Sequence, residues 1–453
     1  MSEDAGRERA ARTQPGVRVS ASGRVGTGAK SARSGIAASG LRRGVLAAAA
    51  VGLALRLAFG FGYWVDKPLT RDEVEYLSLA RSLAAGDGYR YDDVVQAQSP
   101  DPFGRAPGYP VFLALVGGGR AFAPGVPGPV KIAQSIVGAI GVMLIAAYAA
   151  RLAGRRAGLA AAWLAAGYPP LVWFAGYALS EALFWPIALA VAWTTDRAAA
   201  VNAANPARDA LVAGLIAGLA ALVRAATTPF LALTLVYLLW RRWPNRAALF
   251  LTGALLVIGP WTVRNYIAYG HFVLIATDGG VTFWTGNNPL APGEGDLAAN
   301  PEMKRFHQRL RQQFPDRTEE QMEPIYYREA FAWIRAHPLD WIGLEFRKLF
   351  FTFVPLGPSY RLHSPLYFGA SVVSYGLLLP VGVVGLLRLW RRRADGTRAA
   401  ARAPGLWLIA GSAILVCLVF FPQERFRVPV IDPTLLVCAS VALAGRRRDS
   451  AAP

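Results

Sequence analysis

The chain has 453 residues, of which 54% are hydrophobic and 17% charged, a balance that water-soluble domains rarely show. At ~20 apolar residues per helical crossing the length excludes a small module and leaves room for roughly ten crossings plus one or two large loops. The formal charge of +19 sits in blocks that flank apolar runs, so the positive-inside rule accounts for it and nucleic acid is excluded as a partner.

Residues 1–43 hold nine Arg/Lys against three acids, residues 388–402 hold six against one, and Arg446, Arg447 and Arg448 close the last apolar run. The two cysteines, Cys417 and Cys438, lie inside apolar runs, which excludes a disulfide framework or a cysteine zinc site. Stability must come from helices packed in lipid.

Residues 1–43 are rich in Gly, Ser, Ala and Arg without apolar periodicity, and are predicted to be a disordered basic cytoplasmic tail. A cleaved leader is not expected, because the first apolar run begins only at Gly44. Eleven apolar segments follow: 44–64, 106–122, 130–150, 157–176, 180–195, 209–224, 228–240, 247–263, 366–387, 405–421 and 428–444. The expected organisation is an N-terminal transmembrane module over 44–263 with an external loop at 65–105, an extracytoplasmic loop over 264–365 with surface helices, C-terminal transmembrane helices over 366–445, and a cytoplasmic tail at 446–453. Eleven crossings would put the termini on opposite faces of the membrane, yet both are basic and should be cytoplasmic. One segment between 106 and 176 is therefore not a simple span. Gly214-x-x-x-Gly218 has the small-residue spacing that lets helix backbones approach.

Both long loops fall on the outer side. Loop 65–105 carries eight acids and five bases, and loop 264–365 carries eleven of each together with all four histidines. With spare polar chemistry gathered there, the functional site is expected to face outward. Thr70 and Glu73 have capping-box spacing, and Tyr76, Leu77, Ala80, Leu83 and Ala84 share a helical face. A short amphipathic helix on the membrane surface, stopped by Gly86, follows. Asp72 sits in its first turn. An acid there complements the macrodipole, and a carboxylate so pinned is also well placed as a general base for a hydroxyl.

Arg105, in Gly104-Arg105-Ala106-Pro107, stands at the edge of the next apolar run. It suits a snorkelling side chain or a lipid phosphate. Arg56 lies inside the first span, where insertion costs about 2.5–3.5 kcal/mol, and is expected to need a carboxylate partner or a wet cavity. Glu181, Arg224 and Arg264 map to the outer membrane surface, with Trp261 and Tyr266 as interfacial anchors. Asp278-Gly279-Gly280 through Trp284, Asn287 and Asn288 mixes turn formers with an aromatic and two amides. Turn chemistry explains such a stretch, and so does a sugar site. His271, His307, His337 and His363 have no metal-ligand spacing. Thr318 and Gln321 repeat the capping-box spacing, and Leu339, Ile342, Phe346, Leu349, Phe350 and Phe353 form an apolar face parallel to the membrane. Glu424, Arg425 and Arg427 occupy a short external turn between the last two spans.

The motifs Asp72-Glu73-x-x-Tyr76, Arg105-Ala-Pro107-Gly-Tyr-Pro110, Tyr168-Pro-Pro170 through Ser180-Glu181, Gly214 to Arg224, Pro260-Trp261-x-x-Arg264-Asn265, Gly286-Asn287-Asn288 and Arg425-Phe426-Arg427 occur in this order across residues 44–445. In this the chain resembles glycosyltransferase family 39, which includes protein O-mannosyltransferases and the aminoarabinose transferase for lipid A. The resemblance implies an all-α polytopic membrane protein of the GT-C type, multi-pass in the plasma (inner) membrane, with its active site extracytoplasmic and a polyprenyl-phosphate sugar as donor. It maps Asp72 to the family's catalytic acid/base or metal-associated carboxylate, and a divalent cation at Asp72 is a candidate cofactor. Glu75 and Arg105 stand where the aminoarabinose branch has an arginine and a Glu-Lys-Pro sequence, so a second acidic ligand is missing and lipid A is not expected as acceptor.

The expected reaction is inverting transfer from the lipid phosphate to an extracytoplasmic acceptor. Asp72 takes the acceptor proton, Arg105, Arg264, Arg425 and Arg427 hold the lipid phosphate, and Glu73, Tyr76, Glu181, Asn265, Asn287 and Asn288 line the sugar and acceptor site. The competing class, a transporter or flippase for a lipid-linked or anionic solute, predicts charges at the bilayer midplane and repeated broken helices. A non-catalytic assembly subunit would tolerate loss of Asp72 and Arg264.

Overall fold

A computed structural model describes residues 26–96, 103–119, 125–295, 297–357, 364–391, 393–394 and 397–445, with backbone only for 26–39, 319, 393–394 and 397–400. The chain divides into two compact units, Met1–Arg43 and Gly44–Pro453. Within the first, the backbone is helical from Gly26 onward, whereas the composition predicts a tail without structure as far as residue 43. The remainder of that tail and the expected tail at 446–453 lie outside the described residues.

Among the described residues the helices are α1 (Gly26–Ala58), α2 (Arg71–Ala85), α3 (Asp93–Gln96), α4 (Gly108–Leu115), α5 (Gly128–Ala153), α6 (Arg155–Gly167), α7 (Pro169–Trp173), α8 (Glu181–Ala198), α9 (Pro206–Val223), α10 (Thr228–Trp240), α11 (Pro244–Tyr269), α12 (Gly279–Gly286), α13 (Pro301–Gln312), α14 (Glu319–Ala336), α15 (Pro338–Phe353), α16 (Pro365–Arg391), α17 (Pro404–Val419), α18 (Glu424–Arg427) and α19 (Ile431–Leu443). A single antiparallel pair of two-residue strands, Arg393–Ala394 and Thr397–Arg398, lies between α16 and α17. Five helical stretches are long and apolar enough to cross a bilayer unaided: Gly40–Tyr63, α5, α9, α11 and α16. A sixth arises if α6 and the segment Pro169–Gly176 count as one span bent by 60°. Shorter apolar helices at Ala225–Trp240, α17 and α19 complete the bundle.

The eleven expected spans shrink at the place where the charge pattern demands it. α4 is eight residues long, about 12 Å at 1.5 Å per residue, against a hydrocarbon core of ~30 Å. Gly117, at φ 89°, turns the chain out of the helix, and the Gly118 amide closes the end on the Leu113 carbonyl at 2.7 Å. Residues 106–119, the described part of the segment 106–122, therefore hold no helix long enough to span, and the expected segment 157–176 is the bent one.

Prolines cause the bend after α6. Pro169 and Pro170 have no N–H to donate to the Ala165 and Ala166 carbonyls, so the helical ladder fails there. Arg56 reaches across from α1 and donates to the Ala165 carbonyl at 3.5 Å and to its own Gly52 carbonyl at 2.8 Å. The carboxylate partner predicted for Arg56 is replaced by two backbone oxygens. Elsewhere the bundle is held by close backbone contact: a Cβ on Gly214 would run into the Phe250 carbonyl, and one on Gly253 into the Leu211 carbonyl. The Gly214-x-x-x-Gly218 stripe of α9 is thus the seam with α11, as the spacing predicts.

α2 is held by the protein instead of lying on lipid. Tyr76, Leu77 and Ala80 bury against Tyr109 and Leu113 of α4, while Leu79 enters a cluster with Tyr89, Tyr91 and Phe103. Each fully buried leucine contributes about 1.5–3 kcal/mol, so α2 is fixed on two faces. Helices α12 to α15 form a further outer layer around Trp284, Met303, Met322, Tyr326 and Leu344. The predicted apolar face of α15 is exposed, with Leu339 at 81% and Phe346 at 70%.

Candidate active site

Asp72 is brought to its place by an N-terminal cap. The Thr70 hydroxyl accepts from the Glu73 amide at 3.4 Å, and the Thr70 amide donates back to Glu73 Oε2 at 2.8 Å. Glu73 Oε1 also accepts from the Ala178 amide at 2.9 Å, which ties the start of α2 to the segment before α8. Burial pushes the Glu73 carboxyl above its ordinary range. This fixes the backbone of α2 and aims Asp72, one residue earlier, at the mouth of the bundle.

Two guanidinium groups from distant parts of the chain meet that carboxylate. Arg105 Nη2 donates to Asp72 Oδ1 at 2.5 Å, and Arg425 Nη1 donates to Oδ2. Arg105 comes from the turn ahead of α4, where its carbonyl accepts from the Tyr89 hydroxyl at 2.8 Å. Arg425 comes from α18, and its Nε donates to Glu181 Oε1 at 2.6 Å. Glu181, at the N-terminus of α8, has a fully buried side chain and is shared with Arg224 at 2.9 Å. Arg224, at the end of α9, also donates to the Arg425 carbonyl at 3.1 Å. On the other flank Arg105 Nε donates to Glu75 Oε2 at 2.7 Å, Arg71 donates to Glu75 Oε1 at 2.9 Å, and Asp278 stands 3.6 Å from Arg105 Nη1. The result is an alternating string in which four guanidinium groups face four carboxylates.

Burial alone would raise the pKa of Asp72, but Arg105 and Arg425 outweigh it and hold the carboxyl well below the usual range. Burial likewise opposes the charge of Arg105, and Asp72 and Glu75 overcome it and raise its pKa. Such charge-assisted bonds are the strong ones. The side chain of Asp72 is 23% exposed, so the cluster is open to the outside, unlike a sealed structural pair. Tyr76 lies against it, with its ring 5.5 Å from the Arg105 guanidinium and its hydroxyl donating to Ser180 Oγ at 3.5 Å.

The other expected site residues stand apart. Arg264 donates to the Tyr89 carbonyl at 2.9 Å and lies over the rings of Phe103 and Trp261 at 4.0 and 5.0 Å. Asn265 is buried and donates to the carbonyls of Val273 and Ile275. Asn287 donates to the Phe283 and Val419 carbonyls and accepts from Trp341 and the buried Lys348. Asn288 donates to the Trp284 carbonyl and accepts from the Leu290 amide. Arg427 turns inward to Asp432 at 3.1 Å beneath the Tyr375 ring. In each of these the polar atoms are spent on holding the fold. Glu75, Arg224 and Asp278 belong to the charged string although the sequence reading names them without giving them a part in the site. Their signal is the outer-face location of all three, which motif reading alone does not rank. The His307 ring bonds the Tyr326 hydroxyl at 2.8 Å, His337 lies 3.5 Å from Asp340, His271 is exposed, and His363 lies outside the described residues.

Residues 110–263 match the family model described as dolichyl-phosphate-mannose-protein mannosyltransferase. No curated protein matches the chain. The fold is similar to that of the oligosaccharyltransferase AglB of the archaeon Archaeoglobus fulgidus, solved with an inhibitory peptide and a dolichol-phosphate, at TM-score 0.54 and 15% identity over 89% of this chain and 50% of that one. The same enzyme tethered to an acceptor peptide matches at TM-score 0.56 and 13% identity over 89% and 49%. ArnT of Cupriavidus metallidurans bound to undecaprenyl phosphate overlaps at TM-score 0.42 and 16% identity over 88% and 76%. The chain thus spans about half the length of the archaeal chains it matches, and it has their helical fold. The resemblance to family 39 read from the motifs is met by the family model and by this fold.

A further crystal structure of the archaeal enzyme contains zinc, which makes the fit of a divalent ion here a concrete question. Magnesium is commonly held by one or two carboxylates together with substrate phosphate, and Asp72 and Glu75 are the available pair. Both oxygens of each already accept from guanidinium groups. Among the described residues no three His, Cys, Asp or Glu side chains are grouped to hold a metal ion. The donor set as it stands does not fit a divalent cation.

Proposed function

We propose that this protein is an integral-membrane glycosyltransferase that moves a sugar from a polyprenyl-phosphate donor to a hydroxyl-bearing acceptor on the outer side of the plasma membrane. The observation that carries this reading is the Asp72 carboxylate, clasped between Arg105 and Arg425 and open at the bundle mouth. The acceptor oxygen attacks the anomeric carbon from the face opposite the phosphate. A bond from carbon to the acceptor oxygen forms, the bond from carbon to the phosphate oxygen breaks with its electron pair going to that oxygen, and the acceptor proton passes to Asp72. Inversion at the anomeric carbon follows.

Arg425 and Arg224 receive the phosphate, where preorganised cations act on developing negative charge. Arg264 serves through Tyr89, whose hydroxyl holds the Arg105 carbonyl. While both guanidiniums hold Asp72, its low basicity makes it a poor proton acceptor. A lipid phosphate that draws Arg425 away restores that basicity, so donor binding switches the base on. The acceptor is a protein, a glycolipid or an envelope glycan. With 106–122 removed, the other ten apolar segments cross in alternation and leave both termini cytoplasmic and Asp72, Arg105, Glu181, Arg224 and Arg425 on the outer face. The transporter reading gains no support from Arg56, whose partners are backbone carbonyls within the bundle.

Mass-spectrometric comparison of glycans and glycolipids from cells with the parent protein, without it, and with Asp72→Asn tests the proposal. A glycoform lost in both the deletion and the variant supports it. A glycoform that persists in Asp72→Asn removes Asp72 from the mechanism.

A further inference from the structure

Asp278 is the N-cap of α12, yet its carboxylate makes no cap bond. An aspartate there ordinarily accepts from the second or third amide of the helix. Here the second amide, that of Gly280, donates instead to Glu323 Oε1 of α14 at 3.1 Å. Glycine permits the exchange, because a Cβ on residue 280 would lie 2.8 Å from the Glu323 Cα. One residue before Asp278, the Thr277 amide donates to the Gly104 carbonyl at 3.3 Å. The backbone of Asp278 is thus tied on both sides while its side chain stays 52% exposed. Asp72 and Glu75 have both oxygens bonded to guanidinium groups. The charged partner of Asp278 among the described residues, Arg105 Nη1, stands at 3.6 Å, beyond a hydrogen bond. Beside this carboxylate lies a group of rings. A Cβ on Gly279 would be 3.3 Å from the Tyr327 hydroxyl, and the Phe283 ring sits 5.2 Å from both Tyr327 and Phe331. Phe331 keeps 43% of its surface exposed.

We propose that Asp278, Tyr327, Phe283 and Phe331 form the acceptor subsite, and that the acceptor is a carbohydrate, the sugar chain of a glycan or glycolipid. The part given to Asp72 rests on the transferase reading, whereas carbohydrate binding does not. With Arg425 and Arg224 on the phosphate side, an acceptor that attacks from the opposite face comes in from the side of Arg105, where Asp278 stands. Nη2 and Nη1 of that one guanidinium contact Asp72 and Asp278. Two neighbouring hydroxyls of one sugar ring can therefore address the two carboxylates together. One gives its proton to Asp72 as it attacks, and the other donates a hydrogen bond to Asp278. A serine or threonine side chain has a single hydroxyl and would leave Asp278 without a partner. The apolar face of a sugar ring covers aromatic rings, while its hydroxyls bond carboxylates and the phenol of Tyr327. Asp278 touches the acceptor without taking its proton, so it determines specificity.

The test starts from isotope-labelled cells that lack the protein and so hold the unmodified acceptor. Their envelope is separated into a glycan and glycolipid fraction and a protein fraction. Each is incubated with membranes carrying the parent or a variant, and transferred sugar is read by mass spectrometry. The parent is expected to modify the glycan and glycolipid fraction and not the protein fraction. Phe331→Ala and Asp278→Asn should each raise the amount of acceptor needed for half-maximal transfer by about tenfold, as one lost contact gives. Phe331→Ala keeps the parental maximal rate, and Phe331→Trp, which retains a ring face, restores parental half-saturation. Transfer into the protein fraction, or half-saturation unmoved in both folded variants, overturns the proposal. A second measurement needs no turnover: saturation-transfer NMR on the full chain in lipid nanodiscs, with water-soluble glycans released from the same fraction as probe. Sugar protons should take up saturation from the parent and lose it in Phe331→Ala. Saturation that is absent, or that Phe331→Ala leaves unaltered, overturns the proposal too. Saturation as expected with no detectable transfer would leave the carbohydrate subsite intact and sink the transferase reading instead. Should Asp278→Asn fail to fold, the exposed Phe331 position decides alone.

Discussion

Arg425 and Arg427 lie two residues apart in the same four-residue helix and do opposite things. Arg425 is open to solvent and bridges Asp72 of α2 and Glu181 of α8, with 30% of its side chain exposed. Arg427 points into the bundle, where Asp432, itself bonded by the Tyr168 hydroxyl at 2.7 Å, and the Tyr375 ring enclose it with 3% exposed. Both are ion pairs of similar composition. What separates them is whether a ligand can reach the charge: a sealed pair fixes a fold, while an open pair that joins separate elements can exchange a partner for a substrate.

The largest effect should come from the open side. Asp72→Asn keeps shape and removes the base, so transfer per folded molecule should fall by about 10²–10⁴-fold, with a lower unfolding temperature because the stabilising charge of Asp72 is lost too. Measuring transfer and thermal unfolding on the same preparation checks it, and near-parental activity would erase the distinction. On the sealed side, Arg427→Ala strands a buried carboxylate and should lower stability by about 3–5 kcal/mol, read from unfolding in detergent, while activity per folded molecule persists. A comparable drop in specific activity would move Arg427 into the site.

The pH profile sharpens the picture further. Asp72 must be ionised to act, and in the donor-free protein its two arginines hold its pKa down, so the acid limb of parental kcat/KM, which reports the free enzyme, lies below the ordinary aspartate value of about 3.9. The same depression makes ionised Asp72 a source of stability present above the unfolded pKa and lost as pH falls through the folded one. Arg425→Gln removes one of the two cations and should shift the acid limb upward by about 1–3 pH units. A profile that does not move would mean that Arg425 does not govern Asp72. The smallest effect belongs to Asn287→Ala, which leaves Trp341 and Lys348 without their shared acceptor. About 1–3 kcal/mol of stability should go, with glycoform output per folded chain unchanged.

Much of this fold is written locally. The capping boxes at Thr70 and Thr318, the proline-broken helix after Gly167 and the glycine seam of α9 all follow from short-range chemistry and are legible in the residues. The short α4 is legible too late: Val111 to Leu115 reads as the start of a span, and only the run Gly117 to Gly119 reveals that it ends. Asp72, Arg105 and Arg425 stand out in the sequence by motif and meet in the structure, but the inward turn of Arg427 is not legible, because two residues along a helix means about 200° around its axis and the helix phase is set by packing. The hydrogen bonds of the amides Asn265, Asn287 and Asn288 are not legible for a related reason, since a buried amide that holds a loop and one that holds a sugar have the same composition.

The ion pair between Asp72 and Arg425 joins residues 353 positions apart, and this has a consequence for biogenesis. During synthesis the carboxylate enters the membrane with the first helix, whereas its second guanidinium arrives only with the last helix pair. On the transferase reading, a nascent chain thus carries an incomplete reaction centre until α18 has been made, and it does not consume lipid-linked sugar before the bundle around the site is assembled.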